Sequence, residues 1–415
     1  MHAPRLAALL AAALMPLTAF AADSTPPAAP APDAGLPKSL DEAIAMEAAD
    51  ALPRTAFYDA PATLTGKPGD LIRQEPGDGY ALPAGARAVR FLYHSQDAQG
   101  RDVVSSGVVL IPAGEAPAGG WPVIAWAHGT SGVARMCAPS LMKDLAYGEE
   151  GLMPMLRAGF AIVAPDYHGL GTDGPHQYVN KLAQARDVVF ALPAAHAAVP
   201  GLSAQWAVVG HSQGGLAAWG VAELERERQD PGYVGAVAIA PGVGLRAIAG
   251  RISQASGVAF YLDYLAFGIA ARTPGFKPDD TLTGQVLSRY GDIASKGCWL
   301  YAYAAFAHDT GPVTLKTGWD QTRAARTFFA ESDVAAAPIA GPLLVIAGEA
   351  DQTVPIAAVR DAAQTACRRK IALTLKTYPG LDHDPTMANS VPDLTSWIRD
   401  RMAGKPAADG CGAVG

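Results

Sequence analysis

Gly210-His211-Ser212-Gln213-Gly214-Gly215 follows the apolar run Trp206-Ala207-Val208-Val209 and precedes a helix-forming stretch from Leu216 to Arg228. The chain here reads as a buried strand, a sharp turn and a helix. In such a turn the central residue takes a strained backbone angle, and small residues must stand two before and two after it. Gly210 and Gly214 fill those places, so Ser212 is held out where a substrate can reach it. A tight turn with an incidental serine would need no partners. A nucleophilic serine needs a base, an acid that orients the base, and donors for an oxyanion.

At 415 residues, half of them hydrophobic, the chain is long enough for one large domain with an insertion or for two domains. Its net charge of −7 comes from 32 basic and 39 acidic residues that are intermixed. With no basic run, it lacks the electrostatic footprint of a nucleic-acid binder. Met1 to Ala21 carries Arg5 ahead of an apolar run from Leu6 to Phe20 and ends in Ala19-Phe20-Ala21, a small-x-small pattern. This predicts a signal peptide cut after Ala21, and a protein that is secreted or periplasmic. The run is short and holds Pro16, and no other stretch reaches about 18 consecutive apolar residues, so the mature chain is expected to have no transmembrane segment. In an oxidising compartment Cys137, Cys298, Cys367 and Cys411 can form disulfides. Four cysteines allow three pairings, and neighbourhood favours Cys137 with Cys298 and Cys367 with Cys411. Their wide spacing argues against a metal site.

Residues 22–38 are rich in Pro and Ala and read as a linker, followed by a short helix capped by Ser39. Ala88 to His94 and Val103 to Ile111 read as an antiparallel pair joined through Asp97-Ala98-Gln99-Gly100. Val123 to Ala127, Ala161 to Ala164, Trp206 to Val209, Val234 to Ala240 and Leu343 to Ala347 are apolar on both faces, as in a parallel sheet covered by helices. Leu373 to Tyr378 would be the last strand. Helices are expected at Leu141 to Ala158, Lys181 to Val199, Gln213 to Arg228 and Ile356 to Arg369. The alternation stops between residues 244 and 337, which hold thirteen of the chain's 31 aromatic residues. Phe260, Tyr264 and Phe267, and again Trp299, Tyr303 and Phe306, recur at helical spacing. Residues 39–243 and 338–415 are thus expected to form one α/β core, interrupted after the sixth strand by a helical cap over residues 244–337. Most of the cap's aromatic residues would be its own core. Phe260, Tyr264, Trp299 or Tyr303 could line a substrate pocket.

The acid candidate is Asp351, in a loop directly after the strand Leu343 to Ala347, where open α/β sheets keep their sites. Glu349, two residues nearer the strand, is its competitor. The base candidate is His383, after the last strand. One oxyanion donor is the N–H of Gln213; the other comes from the loop after Val123 to Ala127, from Thr130 or from Gly129. His128 suits a packing role, Asp166 a turn, and His211 a buried position.

Trp126-Ala127-His128-Gly129-Thr130-Ser131-Gly132-Val133-Ala134, Cys137-Ala138-Pro139-Ser140, Pro165-Asp166-Tyr167-His168-Gly169-Leu170-Gly171 and the serine turn, in this order, resemble the secretory lipase family of Candida lipase A type, in its bacterial branch. The resemblance runs from about Asp59 to Met402. It implies an α/β-hydrolase fold with Ser212 as nucleophile, Asp351 as acid and His383 as base, and a Cys137 to Cys298 bridge between the oxyanion loop and the cap. The activity it implies is hydrolysis of carboxylic esters and acylglycerols, with no cofactor and with transient lipid contact through the cap. A serine exopeptidase on the same fold is a second expectation, which an acidic pair such as Asp279-Asp280 would serve by holding an amino terminus. A non-catalytic binding module is a third, and would be expected to have lost the nucleophile or the base.

Overall fold

In the computed structural model the Ser39 side chain accepts the N–H of Glu42 and starts α1 (Leu40–Asp50). The structure describes residues 35–255, 257–309, 315–335 and 337–414, so the expected signal peptide and residues 22–34 of the linker lie outside them. The chain divides into two units, Met1–Gly35 and Leu36–Gly415, and the elements named here belong to the second.

The apolar runs pair into a nine-stranded sheet in the order β1-β2-β3-β5-β4-β6-β7-β8-β9. β1 (Leu71–Pro76), β2 (Arg87–Gln96) and β3 (Asp102–Ile111) are antiparallel, and β3 pairs antiparallel with β5. β4 (Trp121–Ala127), β5 (Ala161–Pro165), β6 (Leu202–His211), β7 (Tyr233–Ile239), β8 (Leu343–Gly348) and β9 (Leu373–Tyr378) run parallel. β1 is an edge strand whose short, half-polar run carries no clear alternation, and the sequence does not announce it. It makes β7 the seventh strand, so the expected break after the sixth strand falls after β7.

Successive strand residues point to opposite faces. Val123, Ala125 and Val208 go to one core, and Ile124, Trp126, Ala207 and Val209 to the other, and all are buried. The first core is covered by α3 (Lys181–Ala198), α4 (Gln213–Arg228) and α10 (Ile356–Arg368), and the second by α2 (Met153–Arg157) and α11 (His383–Met402). Each fully buried Val, Ile or Leu contributes about 1.5–3 kcal/mol relative to exposure.

Two helix expectations change. Residues 141–158 do not form one helix: Leu145 and Ala146 have positive φ, and only Met153–Arg157 is α-helical. Pro154 has no N–H and fits only a first turn, so the helix starts beside it. α11, not expected, begins at His383 behind the cap residue Asp382. The pair Asp382 and Pro385 is the signal that announces it.

Between β7 and β8 the described residues hold five α-helices and no strand: α5 (Leu245–Ile252), α6 (Phe260–Arg272), α7 (Gly284–Ile293), α8 (Trp299–Phe306) and α9 (Arg323–Ser332). The aromatic stripes fall on α6 and α8 as their spacing predicts. The N-terminus of α8 is held from far away: the Glu47 carboxylate of α1 accepts the N–H groups of Cys298 and Tyr301, at 2.8 to 3.1 Å. Burial of that carboxylate raises its pKa despite these bonds.

Candidate active site

β4 and β6 are neighbours, while the chain leaves β4 for β5 on the other side, so the strand order reverses between them. The crevice at such a reversal is where open α/β sheets place ligands. Ser212 follows β6 with φ 57° and ψ −117°, and its N–H donates to the Ile239 carbonyl at 2.9 Å. A non-glycine residue rarely takes this backbone angle; here α4 and β7 hold it from both sides. The flanking glycines are required by space. A Cβ on Gly210 would lie 2.0 Å from the Gly214 carbonyl oxygen, and one on Gly214 would lie 1.8 Å from that of Ala127.

Asp351 and His383, both buried, meet: Asp351 Oδ2 lies 2.8 Å from His383 Nδ1. The other oxygen, Oδ1, accepts the N–H groups of Thr353 at 2.9 Å and Val354 at 2.7 Å, which fixes the carboxylate. Burial disfavours the charged imidazole, but the Asp351 hydrogen bond and charge outweigh it, helped by Asp384 and Asp382, and the His383 pKa is raised. Asp382 joins the two loops, since its Oδ1 accepts the N–H groups of both Gln352 and His383 at 2.8 Å. Glu349 turns elsewhere, taking the Thr377 hydroxyl at 2.8 Å.

Thr130 and Gln213 reach the same pocket as Ser212. Among the described residues neither backbone N–H has an acceptor within the chain, as the first residue of a helix requires for Gln213. The Thr130 hydroxyl lies 2.8 Å from that of Tyr178, and the Gln213 side-chain nitrogen 3.2 Å from His176 Nε2. Gly129 does not line the pocket. It packs against Tyr147, whose hydroxyl a Cβ would meet at 1.9 Å.

His128 is buried, stacked on Tyr167 at 4.2 Å, and its Nε2 lies 3.0 Å from the Asp166 carbonyl oxygen. Burial lowers its pKa to about 4, against the opposing effect of the Asp166 and Gly129 carbonyls that face its two nitrogens. Asp166 accepts the Ser140 N–H at 2.7 Å and the Ser106 hydroxyl at 2.6 Å, and burial pushes its carboxyl up to about 6. Both are built into the fold behind the site. Among the described residues one group, His211, His383 and Asp384, brings three metal-ligating atoms within 4.8 Å of one another. Both nitrogens of His211 are already hydrogen-bonded, as is Nδ1 of His383.

The cysteines pair Cys137 with Cys298 and Cys367 with Cys411. The first bridge joins the loop after β4 to the residue before α8, beside a 3.0 Å bond from the Trp299 N–H to the Ser131 carbonyl. The second joins the last turn of α10 to the C-terminal turn.

Ser212 opens into a pocket with about 540 Å³ of empty space, part of it open to solvent. Its far wall is the apolar face of α5, where Leu245, Ile248, Ala249 and Ile252 recur at i, i+3, i+4 and i+7. Tyr261, Leu262 and Leu265 of α6 and Val354 of the acid loop complete it. Phe260, Tyr264, Trp299 and Tyr303 are not in the lining. Phe260 and Tyr264 are fully buried, and Trp299 stacks on Tyr303 at 5.5 Å, so these stripes are the inserted segment's own core.

A sheet of this order, carrying a serine turn after β6 and an acid and a histidine after β8 and β9, defines an α/β-hydrolase. Residues 150–388 match the hydrolase family described as serine aminopeptidase, S33, and the chain belongs to that family. The fold is also that of Candida antarctica lipase A in its closed state, at 15% identity and TM-score 0.72, over 87% of this chain and 89% of that one. The esterase LipA of Xanthomonas oryzae, described as rice cell wall degrading, is similar at 18% identity and TM-score 0.65, over 82% of this chain and 100% of its own. A putative hydrolase of Legionella pneumophila is similar at 17% identity and TM-score 0.66, over 81% and 100%. No curated protein sequence matches the chain.

Proposed function

We propose that this protein is an exported serine hydrolase of carboxylic esters, an esterase or acylglycerol lipase. Ser212 Oγ attacks the ester carbonyl as His383 takes its proton. The N–H groups of Gln213 and Thr130 hold the oxyanion, and Asp351 holds the imidazolium. The ester C–O bond then breaks as His383 gives the proton to the departing alcohol, leaving an acyl group on Ser212. A water molecule, deprotonated by His383, attacks the acyl carbon and releases the acid and the free serine. Residues 244–337 act as a cap over this site, and its outer face makes transient contact with lipid surfaces.

The observation that carries this reading is the pocket: among the described residues no charged side chain lines it. An apolar wall suits an uncharged acyl chain, whereas a peptide's amino terminus needs a carboxylate to replace its lost hydration. Candida antarctica lipase A and the Xanthomonas oryzae esterase, which share the fold, are named for ester chemistry. Export is supported by the signal-like Met1 to Ala21, by two disulfides, and by the lack of any described helix long and apolar enough to cross a membrane.

The family description favours a second reading, a serine aminopeptidase. Asp279 and Asp280, the acidic pair that could serve it, are exposed on a turn and do not line the pocket. A panel of p-nitrophenyl esters from acetate to palmitate, run beside aminoacyl anilides, separates the two. Turnover of the anilides above that of every ester would overturn the ester reading.

A further inference from the structure

His211 stands one residue before Ser212, is fully buried, and has both ring nitrogens engaged. Its Nε2 lies 3.3 Å from the backbone carbonyl oxygen of His383, and its Nδ1 lies 2.9 Å from the Tyr147 hydroxyl. A carbonyl oxygen only accepts, so the proton is on Nε2, and Nδ1 must accept the Tyr147 O–H. The tautomer is therefore set by the pair of partners. Burial lowers the His211 pKa well below its ordinary value, with the nearby His383 acting in the same direction, so the ring stays neutral beside the base. The two imidazole centroids are 4.6 Å apart.

Tyr147 is itself fixed on three sides. Its ring meets Trp126 edge-on at 5.3 Å and His211 at 5.5 Å, and its hydroxyl fills the space that a side chain on Gly129 would need. One buried pair thus touches the loop that carries Thr130, the turn that carries Ser212 and the backbone of His383. Neither member lines the pocket, so neither meets the substrate.

Resting on the serine-hydrolase reading above, we propose that Tyr147 and His211 are positioning residues: the Tyr147 O–H orients the His211 ring, whose Nε2–H holds the His383 carbonyl and so aims the His383 ring between Asp351 and Ser212. The bland alternative is that the pair only fills space under the turn. The two differ in kinetics. Misplacing a reacting group by about 1 Å can cost roughly a hundredfold in rate, without weakening substrate binding to a pocket the residue does not touch. It also loosens the bond from Asp351, the main influence raising the His383 pKa. The charged or titrating groups facing that ring are Asp351, Asp382, Asp384 and His211. With the Asp351 bond weakened, burial dominates and the acid limb of the pH profile moves to lower pH.

The test uses the full chain with Tyr147→Phe, His211→Phe and His211→Gln. A glutamine amide can donate an N–H from about where Nε2 stood; phenylalanine cannot. Measured are kcat and KM on a neutral p-nitrophenyl ester, the pH profile of kcat/KM, the rate of fluorophosphonate labelling at Ser212, and the melting temperature. We expect kcat to fall about tenfold in Tyr147→Phe and about a hundredfold in His211→Phe, with KM within about threefold. His211→Gln should recover about tenfold of that loss, and the acid limb should shift down in both Phe variants. A kcat within about threefold of wild type in Tyr147→Phe and His211→Gln, with an unmoved acid limb, overturns the proposal even if His211→Phe fails to fold. A loss confined to KM, or equal losses in His211→Gln and His211→Phe, also overturns it. Wild-type protein that takes no label at Ser212 overturns the underlying reading, whereas labelled wild type with unchanged variants overturns only the positioning role.

Discussion

Asp351 Oδ2 lies 2.8 Å from His383 Nδ1 across 32 residues of chain, and each partner is held by further bonds in its own loop. A carboxylate so placed fixes the imidazole tautomer and, in the proposed reaction, would favour the cation that forms during acyl transfer.

Ser212→Ala and His383→Ala should each lower kcat by about a million-fold, since nucleophile and base act as a unit. Asp351→Asn should cost less, about ten-thousand-fold, and Glu349→Gln should stay within a few-fold. Initial rates on one ester and mass mapping of a fluorophosphonate adduct check all four. Label on a serine other than Ser212, or turnover surviving in His383→Ala, contradicts the assignment.

With the His383 pKa raised by Asp351, the acid limb of kcat/KM should lie above the ordinary imidazole value of 6.5. Activity falls as pH drops through that limb, because the protonated ring cannot accept the Ser212 proton. In Asp351→Asn the largest influence that raises the pKa is gone, leaving Asp384 and Asp382 against the burial that lowers it, so residual activity should persist to lower pH. A limb that moves upward in this variant contradicts the geometry.

The pocket wall belongs to α5 and α6, so Ile248→Trp or Leu265→Trp should shift ester preference toward shorter acyl chains. Phe260→Ala and Tyr264→Ala should instead cost about 3–5 kcal/mol of stability and leave the preference profile unchanged. Kinetics across the p-nitrophenyl series, paired with urea unfolding, separates wall from core.

Peptide mapping without reduction should recover Cys137 linked to Cys298 and Cys367 linked to Cys411. Replacing either pair by serine should remove about 3–5 kcal/mol in the chain-entropy account. Only the first pair anchors the loop carrying Thr130, so only its loss should also lower kcat.

Asp263 is buried in α6 with neither carboxylate oxygen hydrogen-bonded, and burial pushes its pKa up to about 9, against a smaller opposing effect of Arg289. Its folded pKa exceeds its unfolded one, so the native state binds the extra proton. Stability therefore declines as pH rises from about 4 to about 9. Asp263→Asn should raise the melting temperature at pH 8, and the gain should shrink toward pH 4. An equal gain at both values excludes the titration of this carboxyl as its source.

The serine turn, the doubly apolar strands and the loops carrying Asp351 and His383 were legible because each is encoded locally. Two-faced apolar runs specify covered strands, and Gly210 relieves a contact with Gly214 made within one turn of the chain, although the space that Gly214 leaves is for the distant Ala127 carbonyl. The short edge strand β1 and the helix α11 carried weaker signals, the latter only in Asp382 and Pro385. Residues 141–158 read as a helix because apolar spacing cannot register that Tyr147 is needed against His211, 64 residues away.

By itself the sequence determined the order of the elements apart from β1, α11 and the stretch 141–158, the α/β class, and which serine, carboxylate and histidine stand at strand ends, since periodicity and turn chemistry act over a few residues. Only the tertiary structure decided that α5 rather than the aromatic stripes walls the pocket, that Glu47 caps α8, and that His211 holds His383 across 172 residues. Those contacts depend on how whole elements pack against one another, and a partner's distance along the chain leaves no mark in the pattern of either residue's neighbours.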